Sequence, residues 1–130
     1  HKRGKTMRKM ASSILLICLL GVGVLAFPQP TVGVTMSIVS VTAYHHCPGS
    51  KGITSSGRRV QVGMIALSRD LERNLNMDFG DRVLLHGMGV FEFQDRMAPR
   101  WNKKADIYLS NQSKARNFGV KRYVVLVKMV

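Results

Sequence analysis

The chain has 130 residues, with 20 Lys and Arg against 7 Asp and Glu, a net charge of +13. That length fits one modest domain and hardly more. With only Cys18 and Cys47, a disulfide-rich scaffold is excluded, so packing must hold the core.

Residues 1–9 contain Lys2, Arg3, Lys5, Arg8 and Lys9 and no acid, and residues 11–27 run apolar. A basic segment followed by an apolar one is the layout of a secretory signal. Val24 and Ala26 supply small residues for cleavage after Ala26, and Pro28 and Pro30 would end any helix. The alternative is an uncleaved anchor, because the 17 residues of this run lie at the short edge of a bilayer span. Residues 11–27 would then attach the protein to a membrane. Cys18 lacks the small residues expected before a lipidated cysteine. The reading is therefore a signal peptide or anchor helix over 1–26, a linker leading into the first strand over 27–37, and one domain over 38–130. It places the protein outside the cytoplasm, in the periplasm or cell envelope.

Without residues 1–26 the chain keeps 15 Lys and Arg and all 7 acids. Such a balance attracts polyanions. Export removes nucleic acid from the expected partners and leaves wall polymers, lipid head groups and peptide carboxylates. Cys47 has no second cysteine in this part with which to close an internal disulfide.

From residue 34 onward the patterning is mostly of period two. Residues 34–44 alternate and are rich in β-branched side chains, which predicts a strand. Residues 45–57 hold Pro48, Gly49, Ser50, Gly52, Ser55, Ser56 and Gly57 and read as a loop. Residues 59–67 resume the strand pattern, with an interruption at Gly63. Residues 68–77 are the one clear helical candidate. Ser68 is placed to cap it, Asp70 and Glu72 stand in its first turn, and Leu71 and Leu75 share one face.

A turn at 79–81 precedes a short strand over 82–86, a hairpin turn over 87–89 and a return strand over 90–94. Residues 97–104 form a basic loop, 105–109 a strand, 110–119 a turn or short helix, and 121–130 a final strand. Six short strands with one small helix suggest a closed all-β barrel, which leaves no open edge on an exported monomer.

Among the seven acids, Asp95 and Asp106 stand out. Asp106 lies among Ala105, Ile107 and Tyr108. A carboxylate in apolar strand surroundings is costly unless it is paired or keeps its proton. A raised pKa is what a general acid needs near neutral pH. The bland alternative is that Asp106 points outward or pairs with Arg96 or Arg100. His45, His46 and Cys47 are adjacent in sequence and cannot easily face one ion, so no metal or other cofactor is expected.

The order of several short motifs resembles the 3D (Asp-Asp-Asp) domain family. Thr42-Ala43-Tyr44, then Gly52-Ile53-Thr54-Ser55-Ser56-Gly57, then Gly63-Met64-Ile65-Ala66-Leu67 are similar to its opening. Phe79-Gly80-Asp81-Arg82-Val83, Gly87-Met88-Gly89, the Asp95 and Asp106 pair, and Phe118-Gly119-Val120 follow in the family's order. The resemblance spans residues 38–130.

It implies a six-stranded double-psi β-barrel related to the catalytic core of membrane-bound lytic transglycosylases. It also implies cleavage of the bond between N-acetylmuramic acid and N-acetylglucosamine in peptidoglycan glycan strands. Asp106 would be the catalytic acid/base and Asp95 would support it. An internal attack by the muramoyl 6-hydroxyl would close a 1,6-anhydro ring. Such an attack supplies its own nucleophile, so one main carboxylate suffices where ordinary glycosidases need two.

Tyr44, Thr54 and Ser56 match family positions near the groove, where they could hydrogen-bond substrate; Thr54 and Ser56 are equally ordinary turn residues. The family's first aspartate falls at Ser68 here, and Asp70 either takes that role or caps the helix. The glycines that the family carries between its last two aspartates are absent from residues 96–105. In their place Trp101 either stacks on a sugar or covers the core as a rim aromatic, with Arg100 or Lys103 near a carboxylate.

The rival to an enzyme is a wall-binding or wall-loosening barrel without turnover. A third reading, binding of anionic lipid or nucleic acid, rests on charge alone.

Overall fold

Alternating side chains organise the described part of the molecule, residues 35–46 and 51–130 of a computed structural model. The predicted signal or anchor over 1–26 lies outside the described residues, as does Cys47. No described helix is long and apolar enough to cross a membrane.

The strands are β1 (Met36–Tyr44), β2 (Met64–Leu67), β3 (Arg82–Leu85), β4 (Gly89–Arg96), β5 (Lys104–Tyr108) and β6 (Lys121–Lys128). They close into a barrel in the order β1-β5-β2-β4-β3-β6. The β1–β5 and β2–β4 pairs are parallel, and the other four pairings are antiparallel.

Along most strands alternate residues point into the barrel. Val39 and Val41 of β1, Ile65 and Leu67 of β2, Val83 and Leu85 of β3, Phe93 of β4, Ala105 and Ile107 of β5, and Val124 and Leu126 of β6 are all buried in one core. This is the period-two pattern of a strand with one apolar face. In β2 all four residues are buried, so its outer face is covered as well.

Two short helices complete the described fold, α1 (Arg69–Asn74) and α2 (Gln112–Phe118). Leu71 and Leu75 carry the apolar side of the α1 region into the core beside Met77. Asn111 caps α2, its side chain accepting from the Lys114 N–H at 2.8 Å.

Three local expectations are changed. The strand predicted over 59–67 is extended only over Met64–Leu67, because residues 51–62 fold over as a loop tied by a bridge between Ile53 and Arg59. Ser68 stands at the N-cap of α1 but makes no side-chain cap. Its hydroxyl instead accepts the Lys104 N–H at 3.1 Å, which ties α1 to β5. The return strand of the hairpin continues to Arg96, which carries Asp95 inside it. Gly87 and Gly89 turn this hairpin at φ of 80° and 111°, values that suit glycine.

Phe93 fills the centre of the barrel and is fully buried. Phe93→Ala should cost about 3–5 kcal/mol of stability through the cavity it leaves. Leu84→Ala, at a position 39% exposed, should cost less than about 1 kcal/mol. Urea unfolding of the two variants beside the parent measures both.

Candidate functional site

Registered strands place side chains in rows across a sheet, and the members of a row share a face. One row runs Thr42 (β1), Asp106 (β5), Ala66 (β2), Asp95 (β4). Its neighbour, Val41, Ala105 and Leu67, points into the core. The Thr42 row therefore lies on the outer face. Asp95 and Asp106 flank Ala66, with Cα atoms roughly 9–10 Å apart from two strand spacings of ~4.8 Å.

The outer face at this point is not open solvent. The loop 51–62 covers it, and Asp95 holds that loop. Asp95 Oδ1 accepts from the Ser55 N–H at 3.0 Å, from the Ser55 hydroxyl at 2.6 Å and from the Arg96 N–H at 2.9 Å. The Ser56 N–H donates to the Gln94 carbonyl at 3.1 Å and fastens the same turn to β4.

Thr54 is buried and donates to the Arg58 carbonyl at 2.9 Å. Its single proton being so used, the 2.8 Å contact with Ser56 has the Ser56 hydroxyl as donor. Thr54 thus shapes the turn, and although it lines the cleft beside Asp95 its hydroxyl is spent internally.

Asp106 is half-buried and accepts from the Thr42 hydroxyl at 3.0 Å. Burial pushes its pKa up from the ordinary carboxylate value; the Thr42 hydrogen bond opposes this, and the Asp95 charge adds to the rise. Asp106 does point away from the barrel interior, but it pairs with neither expected arginine. Arg96 forms a two-pronged ion pair with Glu72, at 2.7 and 2.8 Å, over the Phe79 ring. The Arg100 guanidinium lies 4.8 Å from the centre of the Trp101 ring.

Tyr44 follows Thr42 on the outer face, and its ring meets Tyr108 edge-on at 5.5 Å. Burial, then the charges of Asp95 and Asp106, hold its phenol well above the usual range, so it keeps its proton. Its hydroxyl is buried with no hydrogen-bond partner among the described residues. Such unpartnered buried groups are few in native folds. His45 stacks on Tyr108 at 6.4 Å, and its Nδ1 is likewise buried and unpartnered. Tyr44, His45, His46, Lys51, Thr54 and Asp95 are among the residues lining a cleft of about 570 Å³. That volume lies within the ~300–1,000 Å³ of small-molecule sites.

The expected residues thus divide. Asp95, Asp106, Tyr44, Thr54 and Ser56 gather around one region. Asp70 does not join them: its Oδ2 accepts the Lys103 N–H at 3.0 Å and anchors the β4–β5 loop. Burial alone would raise its pKa, but hydrogen bonds from Ser68 and the Lys103 and Leu71 backbone outweigh it and hold the carboxylate low. Trp101 sits on that loop, with the Lys104 ammonium 3.9 Å from its ring centre. Lys104 is two residues before Asp106 on the same outer face, so Trp101 borders the site rather than lining the cleft.

Thr42 and Ser55, the two direct partners of the aspartates, were not singled out from the sequence. Thr42 was legible in principle, since Thr42 and Tyr44 alternate on one face of β1. Among the described residues, no group of three His, Cys, Asp or Glu side chains could hold a metal ion.

A scan against protein-family models finds no match to the chain, and a search of curated proteins finds no similar sequence.

A carboxyl whose pKa is raised by folding favours the fold most when protonated. Its contribution is fully present below the ordinary carboxylate pKa and is lost as pH rises through the raised value. Asp106→Asn, which keeps an acceptor for Thr42, should therefore raise the melting temperature at pH 7. The gain should vanish at pH 3; thermal melts across that range measure it.

Proposed function

We propose that the protein is an exported, peptidoglycan-acting enzyme of the lytic transglycosylase type, a 3D-domain relative in which Asp106 is the acid/base. The observation carrying this reading is the row in which Asp95 and a half-buried Asp106, whose pKa burial raises, flank Ala66. The parallel β1–β5 and β2–β4 pairs within an otherwise antiparallel barrel support reading the fold as double-psi. The likeness of fold alone assigns no chemistry; the argument rests on the site.

In this reading Asp106 donates its proton to the glycosidic oxygen as the bond to the muramoyl C1 breaks. The resulting carboxylate then takes the proton of the muramoyl 6-hydroxyl as its oxygen attacks C1. The products are a free sugar hydroxyl and a 1,6-anhydro ring, and Asp106 returns to its protonated state. The Thr42 hydroxyl fixes Oδ1 and steadies the carboxylate formed midway, which leaves Oδ2 for the proton. The Asp95 charge adds to the rise in the Asp106 pKa that burial starts, and Asp95 itself lines the cleft. Tyr44 stays a neutral O–H donor throughout. The enzyme would work as a monomer in the periplasm or envelope, held by residues 11–27 if these are not cleaved.

One observation favours a binding module without turnover: among the described residues the Asp95 carboxylate accepts through Oδ1, from Ser55 twice and from the Arg96 N–H, and so serves the loop and its own strand. Digestion of purified peptidoglycan separates the two. The full chain should release soluble 1,6-anhydromuropeptides, and Asp106→Asn should lower the rate by about 10²–10⁴, the usual value of one acid/base group. Sedimentation with the insoluble polymer and no soluble product would favour the binding module.

Thr42→Val removes the hydroxyl at nearly constant volume. It should shift the alkaline limb of the pH–rate profile upward, because the hydrogen bond that lowers the Asp106 pKa is gone. An unchanged limb would dismiss the role given to Thr42.

A further inference from the structure

On the side of the barrel away from the two aspartates, one outward row is apolar from end to end. Met36 of β1 pairs with Val127 of β6, Val127 with Leu84 of β3, and Leu84 with Val90 of β4. At a strand spacing of ~4.8 Å this row is about 14 Å wide. Ile38 and Val125 pair one step along β1 and β6 and extend the patch. Met36 and Ile38 are more than half exposed, Leu84 and Val90 are exposed as well, and Val125 and Val127 are half-buried. In the closed strand order β6 stands opposite β2, which lies in the middle of the Asp106 and Asp95 row. Single exposed aliphatic residues are ordinary, but a contiguous patch across four strands marks a contact surface.

The rim of this patch is cationic. Between the Val39–Val124 and Val41–Lys121 pairs β6 carries one residue more than β1, and Arg122 and Tyr123 are both exposed there. Tyr123 has a φ of 58°, a conformation rare for a bulky residue, and its ring is held out at 85% exposure. Arg82 is exposed two residues before Leu84. Neither Arg82 nor Arg122 forms an ion pair among the described residues. Strands β1, β3 and β6 contain no acid. The acids at the border are paired, Glu92 with Arg58 at 2.8 Å and Asp81 with Lys128 at 3.8 Å. Beside Ile38 and Tyr123 opens a polar hollow of about 420 Å³, lined also by Ser40, Asn102 and Lys103.

An aliphatic centre, an exposed tyrosine at its edge and unpaired cations around it are the chemistry of an anionic bilayer surface. The hollow puts a hydroxyl, an amide and an ammonium next to the aliphatic patch, the order in which a phospholipid presents head group and acyl chain. A second copy of the chain fits less well, because a two-fold contact would bring the two cationic rims together.

We propose that the β1–β6–β3–β4 face is a docking surface for anionic phospholipid. Met36, Ile38, Leu84 and Val90 enter the edge of the acyl region, and Arg82, Lys103 and Arg122 meet head-group phosphates. The aspartate row then faces away from the bilayer. This docking goes beyond the glycan reading and holds whether or not Asp106 acts on a sugar.

The test reads which face meets lipid. The full chain is reconstituted with vesicles in which part of the lipid carries brominated acyl chains, which quench indole on contact. Trp101, the one tryptophan, is replaced by Phe, and a new one is introduced at a single position. Leu84→Trp and Val90→Trp report on the face, each independently of the other. Ile53→Trp, at an exposed apolar position on loop 51–62, reports on the opposite side. In phosphatidylglycerol vesicles the two face reporters should be quenched and Ile53→Trp should not. Their quenching should fall in phosphatidylcholine vesicles and as salt is added. Adding Arg82→Gln with Arg122→Gln should lower the docked-to-free ratio about 25-fold, from roughly fivefold per cation at an anionic surface.

Equal quenching of all three reporters would overturn the proposal, since the chain would then be held with no preferred face. Unquenched face reporters, or equal quenching of them in phosphatidylcholine, would overturn it too. So would a blue shift of the face reporters that grows with protein concentration in the absence of vesicles, which would assign the face to a second copy.

Discussion

Asp95 faces outward because β4 carries one residue more than its partner. Ile65 of β2 pairs with Phe93, but the next residue, Ala66, pairs with Asp95, and Gln94 is the extra one. Strict alternation from Phe93, which points inward, would send Gln94 out and Asp95 into the core. A carboxylate there would face Val41, Leu67 and Ala105 with nothing to neutralise it, a cost of several kcal/mol. The register shift turns Asp95 onto the face that Asp106 already occupies. Gln94 is left buried, and its side-chain amide donates to Glu92 while its carbonyl receives the Ser56 N–H. The two-aspartate row, the loop held over it and the cleft beneath that loop all follow from this one extra residue.

The same carboxylate also sets the local electrostatics. Asp95 is a hydrogen-bond acceptor for the 54–57 turn and a negative charge beside Asp106 and Tyr44. Binding the turn ties loop 51–62 to β4. A structural latch and an electrostatic neighbour are thus one group. Replacing Asp95 would release the loop and lower the Asp106 pKa together, so its substitution cannot separate the two roles, whereas Thr42 and Asp106 can be probed with less disturbance.

The arginine-rich surface contributes less to the site than its abundance suggests. Arg96 is committed to Glu72, Arg58 to Glu92 at 2.8 Å, and Arg100 and Lys104 lie over Trp101. These exposed pairs are each worth roughly 0–1 kcal/mol, so they orient side chains more than they stabilise the barrel. In the described cleft lining the lysine supplied is Lys51.

The sequence by itself determined the strands, because period-two alternation of β-branched residues is a local signal. The strands of 36–44, 82–85, 104–108 and 121–128 fall within or close to the segments read from it. It also marked Asp106 as out of keeping with Ala105 and Ile107. That Asp95, Tyr44 and Thr54 line one cleft is a fact of the tertiary structure. The end of strand pairing at residue 64, the extra residue at Gln94, and the partners Thr42 and Ser55 were decided only in three dimensions. Thr42 lies 64 residues from Asp106 and Ser55 lies 40 from Asp95. No local pattern encodes contacts across such separations, since they depend on which strands become neighbours and in what register. Asp70 shows the converse: its position in the chain fits a site residue, yet the closing of the barrel gave its carboxylate to the backbone of Lys103.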